Sequence, residues 1–159
     1  MKLYHGSTEI VVKPQIIEPN RALDFGKGFY TTTDIMQAQR WVKLRIGNND
    51  CSIGFINVYE YKPSKELNVR TFRSANDSWV DFIHNNRTSI NYEHNYDIVK
   101  GPVANDNVYL SFNLYESGII SKSELIKRLK TYKLVDQILF HTEVSLQCLT
   151  FIGYEEVKL

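Results

Sequence analysis

The amino-acid sequence predicts an α+β fold in which several strands and a few short helices share one hydrophobic core. Strand-like segments outnumber helical ones and do not alternate with them as regular βαβ units would. Residues that favour strands are abundant, with 10 tyrosines and 8 phenylalanines. The sheet is therefore expected to be mixed or antiparallel. A length of 159 residues suits a single domain over residues 1–159.

In the first half of the chain, one helix is predicted among short strands. Strands are predicted over residues 2–5 and 52–61, a proline-bearing loop over 14–20, and a glycine-bearing turn into a strand over 24–32. A helix is expected to begin at Thr33 and Asp34. The apolar residues that follow have helical spacing: Ile35, Ala38, Trp41, Val42 and Ile46.

The second half is predicted to contain two helices and four strands. Helices are expected over residues 77–83 and 121–132, and strands over 96–100, 107–115, 137–141 and 150–157. Ser121 is a good N-cap, and Glu124 three residues later completes a capping-box pattern.

Composition argues against several classes of protein. The formal net charge is +1, so no strong field indicates nucleic acid or a membrane surface, and no apolar run approaches the ~20 residues of a membrane span. No signal-peptide pattern opens the chain, so a cytoplasmic location is expected. Cys51 and Cys148 lie among apolar residues and are predicted to be buried thiols in a reducing compartment. Metal-ligand spacing is missing, so no metal site is expected.

Three segments carry residues suited to chemistry. They are LYHGS at residues 3–7, GFYTT at 28–32 and DQILFH at 136–141. Each by itself also fits a structural role: a satisfied core histidine, core aromatics, or a polar residue at a strand end. The Gly26-Lys27-Gly28 stretch is predicted to be a turn, since it lacks the spacing of a phosphate-binding loop, although Lys27 could contact a pyrophosphate.

Together these segments resemble the ADP-ribosyltransferase superfamily, on the diphtheria-toxin and poly(ADP-ribose) polymerase side. That group is marked by a histidine, a tyrosine and usually a glutamate on three separate strands, and His5, Tyr30 and Gln137 stand in that order. More closely, the whole chain resembles an uncharacterised bacterial family of that superfamily, through LYHGS, DFGKGFYTT, YDIVKGPVAND and DQILFHTE. The resemblance implies split mixed or antiparallel sheets and a few short helices around an NAD cleft.

The resemblance also implies roles for individual residues. His5, Tyr30 and Gln137 would be the catalytic set, with His5 bonding a ribose hydroxyl rather than acting as a base. The residues expected to bind NAD are Gly6, Ser7, Phe29, Thr31 and Trp41. A flat cationic nicotinamide ring is well held between aromatic faces, here those of Tyr30 and Trp41. The Gly6 backbone would approach the carboxamide.

Gln137 departs from the family pattern, because glutamine keeps an acceptor oxygen but loses the charge of the usual glutamate. Four acids are candidates to replace that charge: Asp97, Asp106, Asp136 and Glu143. If the strand is regular, Asp136 should point to the face opposite Gln137.

The expected function is therefore mono-ADP-ribosyl transfer from NAD to an unknown protein or nucleic-acid acceptor. A bacterial toxin with an antitoxin partner, or a phage-defence toxin, is compatible with a small standalone domain. A binding module for NAD or ADP-ribose and an NAD glycohydrolase are the alternatives.

Overall fold

The computed structural model describes residues 1–18, 23–89, 91–103 and 106–159. Seven strands lie within these residues: β1 Lys2–Ser7, β2 Phe29–Thr31, β3 Ile53–Tyr61, β4 Val69–Thr71, β5 Ile98–Pro102, β6 Asp136–Phe140 and β7 Leu149–Lys158. Five helices accompany them: α1 Ile35–Asn48, α2 Asp77–Thr88, α3 Asp106–Glu116, α4 Lys122–Leu129 and α5 Glu143–Leu146. None of these helices is long and apolar enough to cross a membrane.

The strands form two open sheets, which confirms the α+β class. The first sheet has the order β1-β3-β7 and is antiparallel throughout. The second has the order β2-β6-β5-β4, in which only the β4–β5 pair is parallel.

One backbone bridge joins the two sheets. Tyr4 in β1 and Thr32, just after β2, exchange two N–H···O bonds of 2.9 and 3.0 Å. Beside this junction, buried apolar residues from both sheets pack against each other, among them Leu3, Tyr59 and Phe140. The contact fixes the middle of β1 against the end of β2, so residues far apart in sequence meet there.

Helices cover the remaining faces of the two sheets. Helix α1 packs against the first sheet through Ala38, Val42 and Ile46. Its start at the predicted place is confirmed, since the Asp34 carboxylate accepts hydrogen bonds from the backbone N–H groups of the first turn. The core of the second sheet's other face includes Trp79 of α2, Phe112 of α3, Leu125 of α4 and Leu139 of β6.

The prediction of a strand over residues 107–115 is wrong, because this segment lies within α3. Its aromatic and β-branched residues favour a strand. In the structure Val108, Ser111 and Phe112 are buried at helical spacing, whereas Leu110 is 65% exposed. Packing against α4 and the second sheet therefore overrides this local preference.

Smaller differences concern the ends of elements and one cysteine. Helix α2 continues to Thr88, five residues beyond the predicted end at 83, and β4 and α5 were not predicted. Ser121 caps α4 as expected, but the Glu124 carboxylate pairs with Arg128 instead of completing a capping box. Cys148 is buried as predicted. Cys51 is exposed, because it lies in the turn between α1 and β3 and not in the core.

Candidate functional site

His5 lies in β1 at the junction of the two sheets. Its Nδ1 is 2.7 Å from the backbone oxygen of Tyr30, and its ring stacks on Phe29 at a centroid distance of 4.3 Å. A carbonyl oxygen only accepts hydrogen bonds, so Nδ1 carries the proton and donates it. Nε2 is then the nitrogen with a free lone pair, and no described residue donates to it. A histidine in this tautomer is ready to accept a hydrogen bond from a ligand.

Burial keeps His5 neutral. The side chain is only 4% exposed, and desolvation lowers its pKa from 6.5 to about 4 despite the hydrogen bond to Tyr30. At neutral pH the ring is therefore an uncharged acceptor with a fixed orientation. This state suits the holding of a hydroxyl better than the donation of a proton.

At Gly6, β1 lies close against α1. A Cβ atom at this position would lie 2.5 Å from the backbone oxygen of Ala38 and 3.2 Å from the Cβ of Trp41. Only glycine permits this approach. The half-buried Trp41 is thereby held beside the end of β1, although no direct ring contact joins it to Tyr30 among the described residues.

Ser7 and Asn57 hold the segment that follows β1. The buried Ser7 hydroxyl accepts a hydrogen bond from the Glu9 N–H. Asn57, the β3 partner of His5, is fully buried; its amide donates to the Glu9 carbonyl, and its carbonyl oxygen accepts from the Val11 N–H. The sequence analysis missed Asn57, for which only an asparagine inside an apolar strand was a signal.

The three residues of β2 face alternate sides of the second sheet. Phe29 packs in the core between the sheets, and the buried Thr31 hydroxyl donates to the Ile138 carbonyl at 2.7 Å. Tyr30 points to the opposite face, where its hydroxyl donates to the Gly26 carbonyl at 2.7 Å. The side chains of Phe29 and Thr31 are thus occupied by packing and backbone contacts, while Tyr30 contributes its ring to the other face.

Gln137 shares that face with Tyr30. It lies in β6 two residues before Leu139, which is the β2 partner of Tyr30, and alternate residues of a strand point to the same side. Gln137 is 2% exposed, yet its side-chain nitrogen has no hydrogen-bond partner. A buried amide without a partner costs about 1–3 kcal/mol. Such a group is well placed to bond a ligand instead.

The structure accounts for three of the four acids that were candidates to replace the missing charge. Asp136 accepts hydrogen bonds from the side chain of Thr32 and from the backbone and side chain of Thr33. These hydrogen bonds anchor the connection from β2 to α1, and none of them involves the Gln137 amide.

Asp97 also has a structural role, because its carboxylate holds two separate segments together. Its carboxylate accepts from the Asn68 N–H at 2.8 Å and from the Thr142 hydroxyl at 2.8 Å. Glu143 is exposed in the first turn of α5. The side chain of Asp106 lies outside the part of the chain that the structure describes.

The loop before β2 carries a buried acid that the sequence analysis did not consider. Asp24 is 6% exposed, and the hydroxyl of Tyr109 donates to its carboxylate at 3.2 Å. Its neighbour Lys27 pairs with Glu18 on the surface at 2.8 Å. The turn predicted at residues 26–28 is present, with Gly26 in the left-handed region at a φ of 83°.

Other features of the described residues do not converge on His5. Two surface depressions, of about 280 and 310 Å³, are lined by other residues, one around Lys62 and Cys148 and one around Lys100 and Asp136. In the described part of the chain, no three His, Cys, Asp or Glu side chains are grouped to hold a metal ion.

Comparison with known proteins places the chain in a family. A family model described as "Protein of unknown function (DUF3990)" matches residues 1–151. The chain belongs to the DUF3990 family. The matched region runs from β1 into β7 and therefore includes His5, Tyr30 and Gln137. No curated protein and no solved structure matches the chain.

Proposed function

We propose that this DUF3990 protein binds NAD at the junction of its two sheets and transfers ADP-ribose from it. One observation carries the proposal: a neutral, oriented His5 is bonded to the backbone of Tyr30, and the Tyr30 ring shares a sheet face with Gln137, whose buried side-chain nitrogen has no hydrogen-bond partner. This order of histidine, tyrosine and acid-like residue is the one that the sequence resemblance to ADP-ribosyltransferases implies.

His5 would hold the substrate and not move a proton. Its Nε2 accepts a hydrogen bond from a ribose hydroxyl, while the bond from Nδ1 to the Tyr30 carbonyl fixes the ring. With a pKa of about 4, the ring stays uncharged at neutral pH and adds no repulsion to the developing ribose cation.

Tyr30 and Trp41 would bind the nicotinamide ring. A cationic aromatic ring gains from stacking and from the electron-rich face of tyrosine or tryptophan. Gly6 lies against the helix that carries Trp41, and its backbone groups would bind the carboxamide of the nicotinamide, as the resemblance implies. Phe29, Thr31 and Ser7 would act indirectly, by fixing the strands on either side.

Gln137 would bind the ribose beside the scissile bond, with its unpartnered Nε2 donating to a ribose oxygen and its Oε1 as the acceptor that replaces the usual carboxylate. Loss of a preorganised electrostatic group costs about 10²–10³ in rate in other enzymes. Nicotinamide is a good leaving group, and its departure needs positioning more than acid catalysis. We therefore expect slow but measurable turnover.

The test is nicotinamide release from NAD by the purified protein. His5→Ala and Gln137→Ala should each reduce release at least about tenfold. His84→Ala is the matched control, because His84 is a partly exposed histidine of α2 whose Nδ1 lies 3.6 Å from the Glu116 carboxylate. Release that is unchanged in His5→Ala, or absent from folded wild-type protein, would refute the proposed transferase.

A binding module is the second candidate, and the neutral Gln137 favours it. In that case NAD or ADP-ribose binds saturably without release of nicotinamide, and Gln137→Glu should introduce turnover. An NAD glycohydrolase would use the same residues, and free ADP-ribose instead of a modified protein or nucleic acid would identify it. The acceptor, which that product analysis would identify, belongs to this proposal. An antitoxin partner and a cytoplasmic location are further parts of it.

A further inference from the structure

A surface depression at one end of the second sheet is lined by positively charged residues that the proposed function leaves without a role. Its volume is about 310 Å³, at the lower end of the range for pockets that bind small molecules. The lining comes from the ends of the parallel strands β4 and β5 and from the start of β6. It includes Thr71, Arg73, Lys100 and Asp136.

Lys100 is the half-buried cation of this depression. Its ammonium nitrogen is 5.0 Å from the centre of the Tyr61 ring, which belongs to β3 of the first sheet. Tyr61 is itself buried among residues of both sheets. The depression therefore lies beside the contact between the sheets, where the Lys100 side chain is held by an aromatic ring.

Two arginines add positive charge beside Lys100. Arg73 is exposed and lines the depression. The Arg70 guanidinium carbon is 4.8 Å from the ring centre of Phe72, which is another lining residue. Among the residues that the structure describes, no acidic group lies within 4.0 Å of the charged nitrogens of Arg70, Arg73 or Lys100. Ion pairs therefore do not neutralise these three charges.

Asp136 is the acidic residue of the lining, and its hydrogen bonds are made elsewhere. Its carboxylate accepts from the Thr32 hydroxyl and from the backbone and side chain of Thr33. It is thus committed to the connection from β2 to α1. The depression keeps an excess of positive charge, which attracts an anion.

We propose that this depression binds phosphate, with Lys100 and Arg73 as the donors. Ammonium and guanidinium groups offer several N–H donors in different directions, which suits the oxygens of a phosphate. Pyrophosphate, or successive phosphates of a nucleic acid, also balance more than one cation, whereas a single carboxylate balances one. Asp136 and Ile138 line the depression, so the Gln137 side chain between them points to the other face of β6. The phosphate site is therefore separate from the Gln137 amide of the proposed transferase.

The experiment measures binding of two probes, inorganic pyrophosphate and a short single-stranded oligothymidylate, to the purified protein by calorimetry at low salt. Binding should be saturable and should weaken as salt is added. Lys100→Gln and Arg73→Gln should each weaken it about tenfold, the effect of one lost charge-assisted hydrogen bond, and Lys100→Arg should retain it. Lys62→Gln is the matched control, because Lys62 is an exposed lysine that lines the other depression.

The two probes distinguish the sources of the phosphate. Tighter binding of pyrophosphate identifies a free nucleotide as the source, and tighter binding of the oligonucleotide identifies a nucleic acid. The proposal is overturned if neither probe binds the folded wild type, if Lys62→Gln weakens binding as much as Lys100→Gln, or if a glutamate-rich peptide binds more tightly than both probes. If Lys100→Gln loses its cooperative melt, the exposed Arg73 decides, and unchanged binding in Arg73→Gln overturns the proposal. None of these results depends on NAD turnover, so the failure of the transferase would leave the phosphate site in place.

Discussion

The replacement of Gly6 by alanine should destabilise the protein strongly although it adds only one methyl group. That methyl would lie 2.5 Å from the Ala38 carbonyl oxygen and 3.0 Å from a methyl carbon of Val42. The carbonyl is part of the backbone of α1, so relief of the contact requires the whole helix to move away from β1.

The expected magnitude follows from the cost of overpacking a close-packed interior. Such substitutions cost about 1–3 kcal/mol, and a contact with a helix backbone belongs in the upper part of that range. For Gly6→Ala we expect a loss of about 2–3 kcal/mol in the free energy of unfolding. In a chain of this size each kcal/mol lowers Tm by about 2–4 °C, so the variant should melt about 4–12 °C below the wild type.

Gly47→Ala is the matched control within α1 itself. A Cβ at Gly47 meets no atom within 4 Å, and alanine is favoured over glycine in a helix by about 0.5–1 kcal/mol. This variant should therefore melt slightly above the wild type. Thermal unfolding followed by circular dichroism measures both effects. A Gly6→Ala variant as stable as the wild type would refute the close packing of β1 on α1.

Two further predictions concern titration and thiol accessibility. The pKa of His5 falls on folding from 6.5 to about 4, so the unfolded chain binds more protons between these values, and the contribution of His5 to stability should decrease by about 3 kcal/mol as the pH falls through this window. His141, whose pKa is also lowered to about 4, adds to the same dependence. Urea unfolding at several pH values should show a shallower dependence in His5→Gln, and equal slopes would contradict the burial of a neutral ring. Exposed Cys51 should react with a thiol reagent in the native protein and Cys148 only after denaturation; two fast-reacting thiols would show that Cys148 is not buried.

Local signals in the sequence were sufficient wherever one element determines its own structure. The N-cap at Asp34 predicted the start of α1, and the alternation in residues 52–61 predicted β3, because both depend on hydrogen bonds and side-chain periods within a few residues. The strand-favouring residues in 107–115 misled, since burial of Val108 and Phe112 is set by α4 and the second sheet. A local preference alone does not say which neighbours will cover a segment.

The sequence by itself determined which residue types this protein offers for chemistry and the order in which His5, Tyr30 and Gln137 occur. Only the tertiary structure decided what each of them contacts. The tautomer of His5 follows from a carbonyl 25 residues away, and the unpaired amide of Gln137 follows from its burial beneath other segments. The carboxylate of Asp24 likewise meets its partner Tyr109 only through folding. Protonation and hydrogen bonding depend on distance in space, and sequence patterns record distance along the chain.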